Sequence, residues 1–241
     1  MNKSIFITFL PVISIFFFSF NISIDHIEKI SLRLKIQTVD NGNLITSEST
    51  TYYRLKDGLL VTVGIIPDEN ITIINAKGEL KTYNSTQNSV LLMNDEELSS
   101  KRSFFYYFLN SKDKDMGLPT DGYKLLKTKI EGNIVVTKWK NEVMDNPQIA
   151  FVELAHANNS CIYTEYLDKN SKTLQKVYYS KFASFGSSKL PLLITEFNYM
   201  KNGDSVITRK TYSDLKINEQ VESKYLNFKI PDNAKLVSPK N

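Results

Sequence analysis

The chain has 241 residues, of which 41% are hydrophobic and 23% charged, and its formal net charge is +4 at pH 7. This slight positive balance is scattered without clustering, so it makes no electrostatic case for a nucleic-acid partner. Cys161 is the only cysteine, which excludes an intramolecular disulfide, and a fold of this size has to be held by its core.

Lys3 precedes an apolar run from Ile5 to Phe20, and Asn21 and Ser23 then lead to Asp25 and Glu28. A charged start, an apolar stretch and a small-residue exit predict a signal peptide over residues 1–23, with a single domain over 24–241. An uncleaved anchor needs roughly 18 or more apolar residues, and this run, broken by Pro11, is marginal for that. The expected location is the periplasm. No cysteine follows the run, so N-terminal lipidation is not expected.

Leu32, Leu34 and Ile36 alternate with Arg33, Lys35 and Gln37, the two-residue period of a strand with one dry face. Asn41-Gly42-Asn43 closes it. A Thr- and Tyr-rich run from Thr51 to Lys56 stops at Asp57-Gly58, and Leu59, Val61, Val63 and Ile65 line one side of the next run, a hairpin pattern. Strands follow at Ile71–Asn75, Leu80–Asn84 and Val90–Met93. Asn94 lies three residues before Glu97 in a capping-box arrangement. Leu98, Phe105, Phe108 and Leu109 then fit one helical face, which predicts a helix of about 16 residues over 94–110.

The charged segment from Ser111 to Gly122 contains Gly117, Pro119 and Gly122 and reads as a loop. Strands resume from Tyr123 to Tyr212, with turns at Glu131-Gly132 and Asn202-Gly203. A last short strand is expected at Tyr225–Ile230, before Pro231. The fold class is therefore mainly β, with about eleven strands in a single large curved antiparallel sheet. The half-wet alternation calls for one layer, with its concave side covered by the helix.

Such a sheet exposes more apolar area than a helix about 24 Å long can cover. The surplus points to a binding surface, and a curved sheet closed by a helical lid makes a pocket suited to acyl chains. Catalytic signals are weak. His156 is the one imidazole of the folded part, and a thiol triad of Glu153, His156 and Cys161 would bridge a strand end and a turn with no oxyanion donor in sight. Asp113 and Asp115 lack the other ligands of a calcium loop, and phosphate-loop and dinucleotide fingerprints are absent. Catalytic residues, metal ligands and cofactors are therefore not expected, and the aromatic–Lys alternation of Lys176–Phe185 reads as a half-buried strand before a nucleic-acid platform.

Several residues carry a family resemblance. Ile66-Pro67, Ile71 to Ile74, Lys77-Gly78-Glu79-Leu80 and Tyr83 resemble the central hairpin of the LolA/LolB-like periplasmic lipoprotein carriers. Thr211 to Asn218 and Phe228 to Lys235 are similar to that family's closing strands. The resemblance implies an unclosed β-barrel plugged by helices, and carriage of the acyl chains of lipoproteins or lipids to the outer membrane by a monomer. It also implies an inner-membrane releasing complex and an outer-membrane acceptor as partners.

The expected lipid-binding residues are Leu59, Val61, Val63, Ile65, Ile71, Ile73 and Tyr83 on the sheet, Phe105, Phe108 and Leu109 on the lid, and Trp139. Family carriers have an early-strand Arg that controls the lid, and Arg54 is the nearest positional match. The alternatives are an exported β-sandwich that binds other proteins, a sensor of envelope lipids, and a hydrolase built around His156.

Overall fold

The computed structural model describes residues 26–145 and 147–238, so the predicted signal peptide lies outside the described residues. In the first half of the chain the strands are β1 (Lys29–Asp40), β2 (Asn43–Arg54), β3 (Leu59–Ile66), β4 (Asn70–Ile74), β5 (Glu79–Asn84) and β6 (Ser89–Asn94). The second half supplies β7 (Tyr123–Glu131), β8 (Ile134–Asn141), β9 (Phe151–Ala157), β10 (Ser160–Leu167), β11 (Thr173–Phe185), β12 (Ser188–Tyr199), β13 (Ser205–Ile217) and β14 (Lys235–Val237).

All fourteen lie in one sheet, in the order β14-β6-β5-β4-β3-β2-β1-β13-β12-β11-β10-β9-β8-β7. The sheet is unclosed, because its edge strands β14 and β7 have no mutual pairing. Neighbours run antiparallel except β14, which adds to β6 in parallel. The topology is two meanders, β1–β6 and β7–β13, joined where β1 pairs with β13. Register shifts in β1–β13, β2–β3, β9–β10 and β7–β8 mark bulges, which bend and twist a sheet locally.

Two connections follow from that topology. β6 and β7 lie at opposite ends of the sheet, so residues 95–122 have to cross from one end to the other. They do so over the concave side, and they carry α1 (Phe104–Leu109). β13 lies mid-sheet and β14 at the far edge. The segment between them carries α2 (Ser223–Leu226) and crosses the opposite face of β1–β6.

Each crossing buries its own core. Under α1, Phe105, Phe108 and Leu109 pack with Ile30, Leu32, Tyr53, Leu154, Leu190 and Tyr212. On the other face Val221 and Leu226 pack with Tyr52 and Val61.

Four sequence expectations need correction. Among the described residues the strand count is fourteen and not eleven. β2 begins at Asn43 rather than Thr51, because the Ser- and Thr-rich stretch before Thr51 is in register with β1 along its whole length. The run Tyr225–Ile230 holds the end of α2 and a coil, and the last strand is Lys235–Val237.

The fourth concerns the helix expected over 94–110, which is broken into 3-10 turns at Glu96–Leu98 and Ser100–Arg102, followed by the six-residue α1. The cause lies in short polar side chains that cap the backbone locally instead of letting the helix run on. Asp95 accepts from Glu97 N–H, Ser99 from Lys101 N–H and Ser103 from Tyr106 N–H. Ser99 and Ser103 both have ψ in the extended range, 133° and 150°.

Candidate functional site

The sheet curls so far that residues from β3 to β9 line one cleft of about 1170 Å³. Leu60 and Thr62 of β3 and Leu34 and Ile36 of β1 share its floor with Tyr212, Ile194, Val177, Leu154 and Val152. Cross-strand pairing puts these side chains on one face: Leu34 lies opposite Tyr212, Lys210 is paired with both Ile36 and Ile194, and Thr164 lies opposite Leu154. One wall is Phe104, Phe105 and Tyr107; the other is Met116, Leu118, Val143, Met144 and Ile149, from the connections before β7 and after β8. Val143 and Met144 are 75% and 63% exposed, so an apolar rim faces solvent.

Aromatic side chains close the α1 end. Phe105 stacks on Tyr53 with ring centroids 5.6 Å apart, Phe104 lies 5.1 Å from Tyr212, and Phe108 lies 5.1 Å from Tyr179. Burial pushes the Tyr53 phenol up to about 12. Burial likewise raises Tyr166, Tyr179 and Tyr212, the last also through the nearby Glu196 carboxylate. These phenols stay neutral hydroxyls in an apolar floor.

One ion pair interrupts that floor. Lys210 Nζ donates to Glu196 Oε1 at 2.5 Å, and both side chains are partly buried, 30% and 19% exposed. They meet diagonally across the β12–β13 pair, Lys210 being in register with Ile194 and Glu196 with Thr208. At the mouth Arg102 donates to Asp121 and also pairs with Glu97.

The residues expected to bind lipid divide between the two faces of the sheet. Phe105, Phe108 and Leu109 are in the core beneath α1, and Trp139 is half-buried against it, its Nε1–H donating to Thr137. Leu59, Val61, Val63, Ile71 and Ile73 belong to the other core, beneath the C-terminal segment. Tyr83 is with them, its ring 5.8 Å from Phe228, while Ile65 is 40% exposed.

The expectation that these strand residues share a pocket with the lid is therefore corrected. Both faces of β3 are apolar, so alternation showed two faces without showing which one α1 covers. It is Leu60, in register with Tyr53 and Ile74, that points to the α1 side.

Arg54 follows the same parity. It is two residues from Tyr52, so its guanidinium lies on the C-terminal-segment face, donating to Asp57 at 2.9 and 2.7 Å and to the Leu226 carbonyl at 3.4 Å. Its hydrogen bonds are with that segment and the β2–β3 turn, and it lines one pocket with Asn110, the residue that ends α1.

The thiol triad does not assemble. Cys161 is fully buried, and burial pushes its thiol up to about 12. It is therefore a thiol and not a thiolate at neutral pH. His156 Nε2 donates to the Asp113 carbonyl at 2.9 Å, and the Asp113 carboxylate accepts from Cys161 N–H at 3.0 Å. Both anchor the 111–122 crossing to β9–β10. Glu153 pairs with Lys138 at 2.8 Å.

Sequence reading missed the floor formed by β9–β13. Lys210 and Glu196 are ordinary wet-face charges to a pattern search, and their inward direction follows only from the apolar neighbours at every second position, Tyr212 and Ile194.

No family model and no curated protein matches the sequence. Solved structures do match. A DUF1329 family protein from Desulfovibrio piger aligns at TM-score 0.57 and 12% identity, over 84% of this chain and 90% of that one. A LolA superfamily protein from Nitrosomonas europaea gives 0.54 and 12%, over 82% and 90%. A domain from Vibrio parahaemolyticus named for outer membrane lipoprotein sorting gives 0.56 and 12%, over 83% and 90%. At such low identity the likeness is one of fold. The resemblance read from the short motifs holds at that level: this chain, one large unclosed antiparallel sheet, is similar in fold to a LolA superfamily structure.

Proposed function

We propose that the chain is a non-catalytic carrier of acyl chains, exported to the periplasm as a single domain over residues 24–241. It would take up lipoproteins or lipids bound for the outer membrane. The observation that carries this reading is the cleft of about 1170 Å³, larger than the roughly 300–1,000 Å³ of usual small-molecule pockets. An apolar floor next to an apolar, solvent-exposed rim suits a chain that enters from outside.

The chain contacts we assign are Leu34, Ile36, Val177 and Ile194 on the floor, and Phe104 and Phe105 at the closed end. Trp139 supports the flank. The short α1, held by single serine caps, is the element that would move on loading. A releasing complex at the inner membrane and an acceptor at the outer membrane are the partners this role requires, and the carrier would work as a monomer.

The test is native mass spectrometry of the protein purified without detergent from its own envelope, followed by organic extraction. The expected result is an acylated adduct near one per chain. A bare mass, together with failure to take up added lipid, would overturn the carrier reading.

A further inference from the structure

The concave face grows more polar along its strands. Nearest α1 the same-face row contains Leu192, Tyr212 and Leu34, next come Tyr179, Ile194, Lys210 and Ile36, and then Val177, Glu196, Thr208 and Thr38. Gln175 and Asn198 lie opposite each other in the last row. Thr38 and Thr208 are already hydrogen-bonded at 3.2 Å. One end of the cleft is thus apolar and aromatic, and the other carries the Lys210–Glu196 pair with Gln175 beside it, while Thr38, Thr208 and Asn198 continue the polar face beyond the cleft lining.

That pair is out of place in a floor that handles only hydrocarbon. Two apolar side chains of similar size generally serve stability as well as an ion pair drawn partly out of water, because both ions lose hydration. In the cleft Lys210 and Glu196 neutralise each other at 2.5 Å. A ligand with one charge would bind one partner and strand the other, whereas a ligand with both charges can bind the two and leave none unpaired.

The rest of the lining points the same way. Its charged side chains are Arg102 and Lys210 against Glu97, Asp121 and Glu196. Arg102 is already held by Glu97 and Asp121, so among the described lining residues no spare cation is left for a net-anionic head.

Building on the carrier reading, we propose that the cleft selects an amphiphile with a zwitterionic head, an ammonium beside a phosphate or carboxylate. Its anionic group sits on Lys210, its ammonium on Glu196, and its chain runs toward Phe104 and Phe105. Lys210 and Glu196 are the specificity residues of the site.

The experiment is calorimetric titration of the delipidated protein with three palmitoyl probes: lysophosphatidylethanolamine, lysophosphatidylglycerol and monopalmitoylglycerol. The zwitterion is expected to bind about tenfold more tightly than either of the others, from charge-assisted hydrogen bonds that they cannot make in full. In the double variant Lys210→Met with Glu196→Met the three affinities converge while chain binding persists. The exchange variant Lys210→Glu with Glu196→Lys keeps both charges on the floor and retains the preference.

Equal affinities in the unaltered protein, tighter binding of the anionic probe, or a preference that survives the double Met variant would each overturn this selectivity and leave the acyl cleft standing. Failure of all three probes to bind would remove the carrier reading, and this one with it.

Discussion

Single side chains in this sheet separate into those that hold the fold and those that face the cleft. Leu154 has no exposed surface, and Ile36 is only partly buried at the floor. Leu154→Ala is expected to cost about 2–5 kcal/mol, the usual range for a buried leucine truncation, read as a lower urea midpoint at unchanged slope. Ile36→Ala should move the midpoint little and weaken acyl-probe binding. Acid–base behaviour belongs to this scale too. Tyr53 and Cys161 are both raised to about 12 by burial, and Tyr166, Tyr179 and Tyr212 are raised by burial as well. The unfolded chain ionises these groups near 9 to 10, so above that pH it binds fewer protons than the native state and stability falls with rising pH. The stability associated with these groups should be complete below about pH 9 and lost progressively between about 9 and 12. Urea titrations at a series of alkaline pH values would show it, and a flat profile would contradict the burial of these groups. The same burial predicts that Cys161 resists alkylation at pH 8 until the protein is unfolded.

Elements were legible where one physical signal dominated. The alternation of Leu32, Leu34 and Ile36, the Asp57-Gly58 turn and the Asn202-Gly203 turn located strands and hairpins, because the two-residue period and the turn residues are local properties. The break in the 94–110 helix was not legible from helical spacing alone. Phe105, Phe108 and Leu109 do share a face, but Ser99 and Ser103 compete for the backbone between Leu98 and Phe105. Ser103→Ala, which removes the α1 cap, is expected to cost about 0.5–2 kcal/mol and to raise hydrogen exchange in 104–109 while leaving β9–β12 unchanged. The C-terminal crossing was mistaken for a strand because Tyr225, Phe228 and Ile230 make a short run of large side chains ending at Pro231. Tyr225 and Phe228 instead cover Tyr52, Val61 and Tyr83, with Tyr225 and Tyr52 ring centroids 5.0 Å apart. Leu226→Ala should therefore loosen β2–β5, seen as faster exchange there, and leave cleft binding intact, since that core lies across the sheet from the cleft.

At the scale of the whole molecule, the sequence showed a curved single sheet with something over it but not which connection covers which face. That depends on where β6, β7 and β13 fall in the strand order, which is set by the long-range β1–β13 pairing. Once those positions are known, the two crossings are forced: one spans the concave side and leaves a cleft, the other seals the opposite face. The cleft then sets a quantitative expectation for cargo. Each methylene moved from water onto the apolar floor is worth about 0.8 kcal/mol, so affinity should rise about fourfold per added methylene while the chain is still filling the cleft. It should level off once the chain reaches the aromatic end formed by Phe104, Phe105 and Tyr212. Calorimetry with saturated lysophospholipids of increasing chain length would show the rise and the plateau. Substituting Phe105→Ala should move the plateau to longer chains, because it opens the end wall. An affinity independent of chain length would mean that the probes lie on the rim at Val143 and Met144 and never enter the floor.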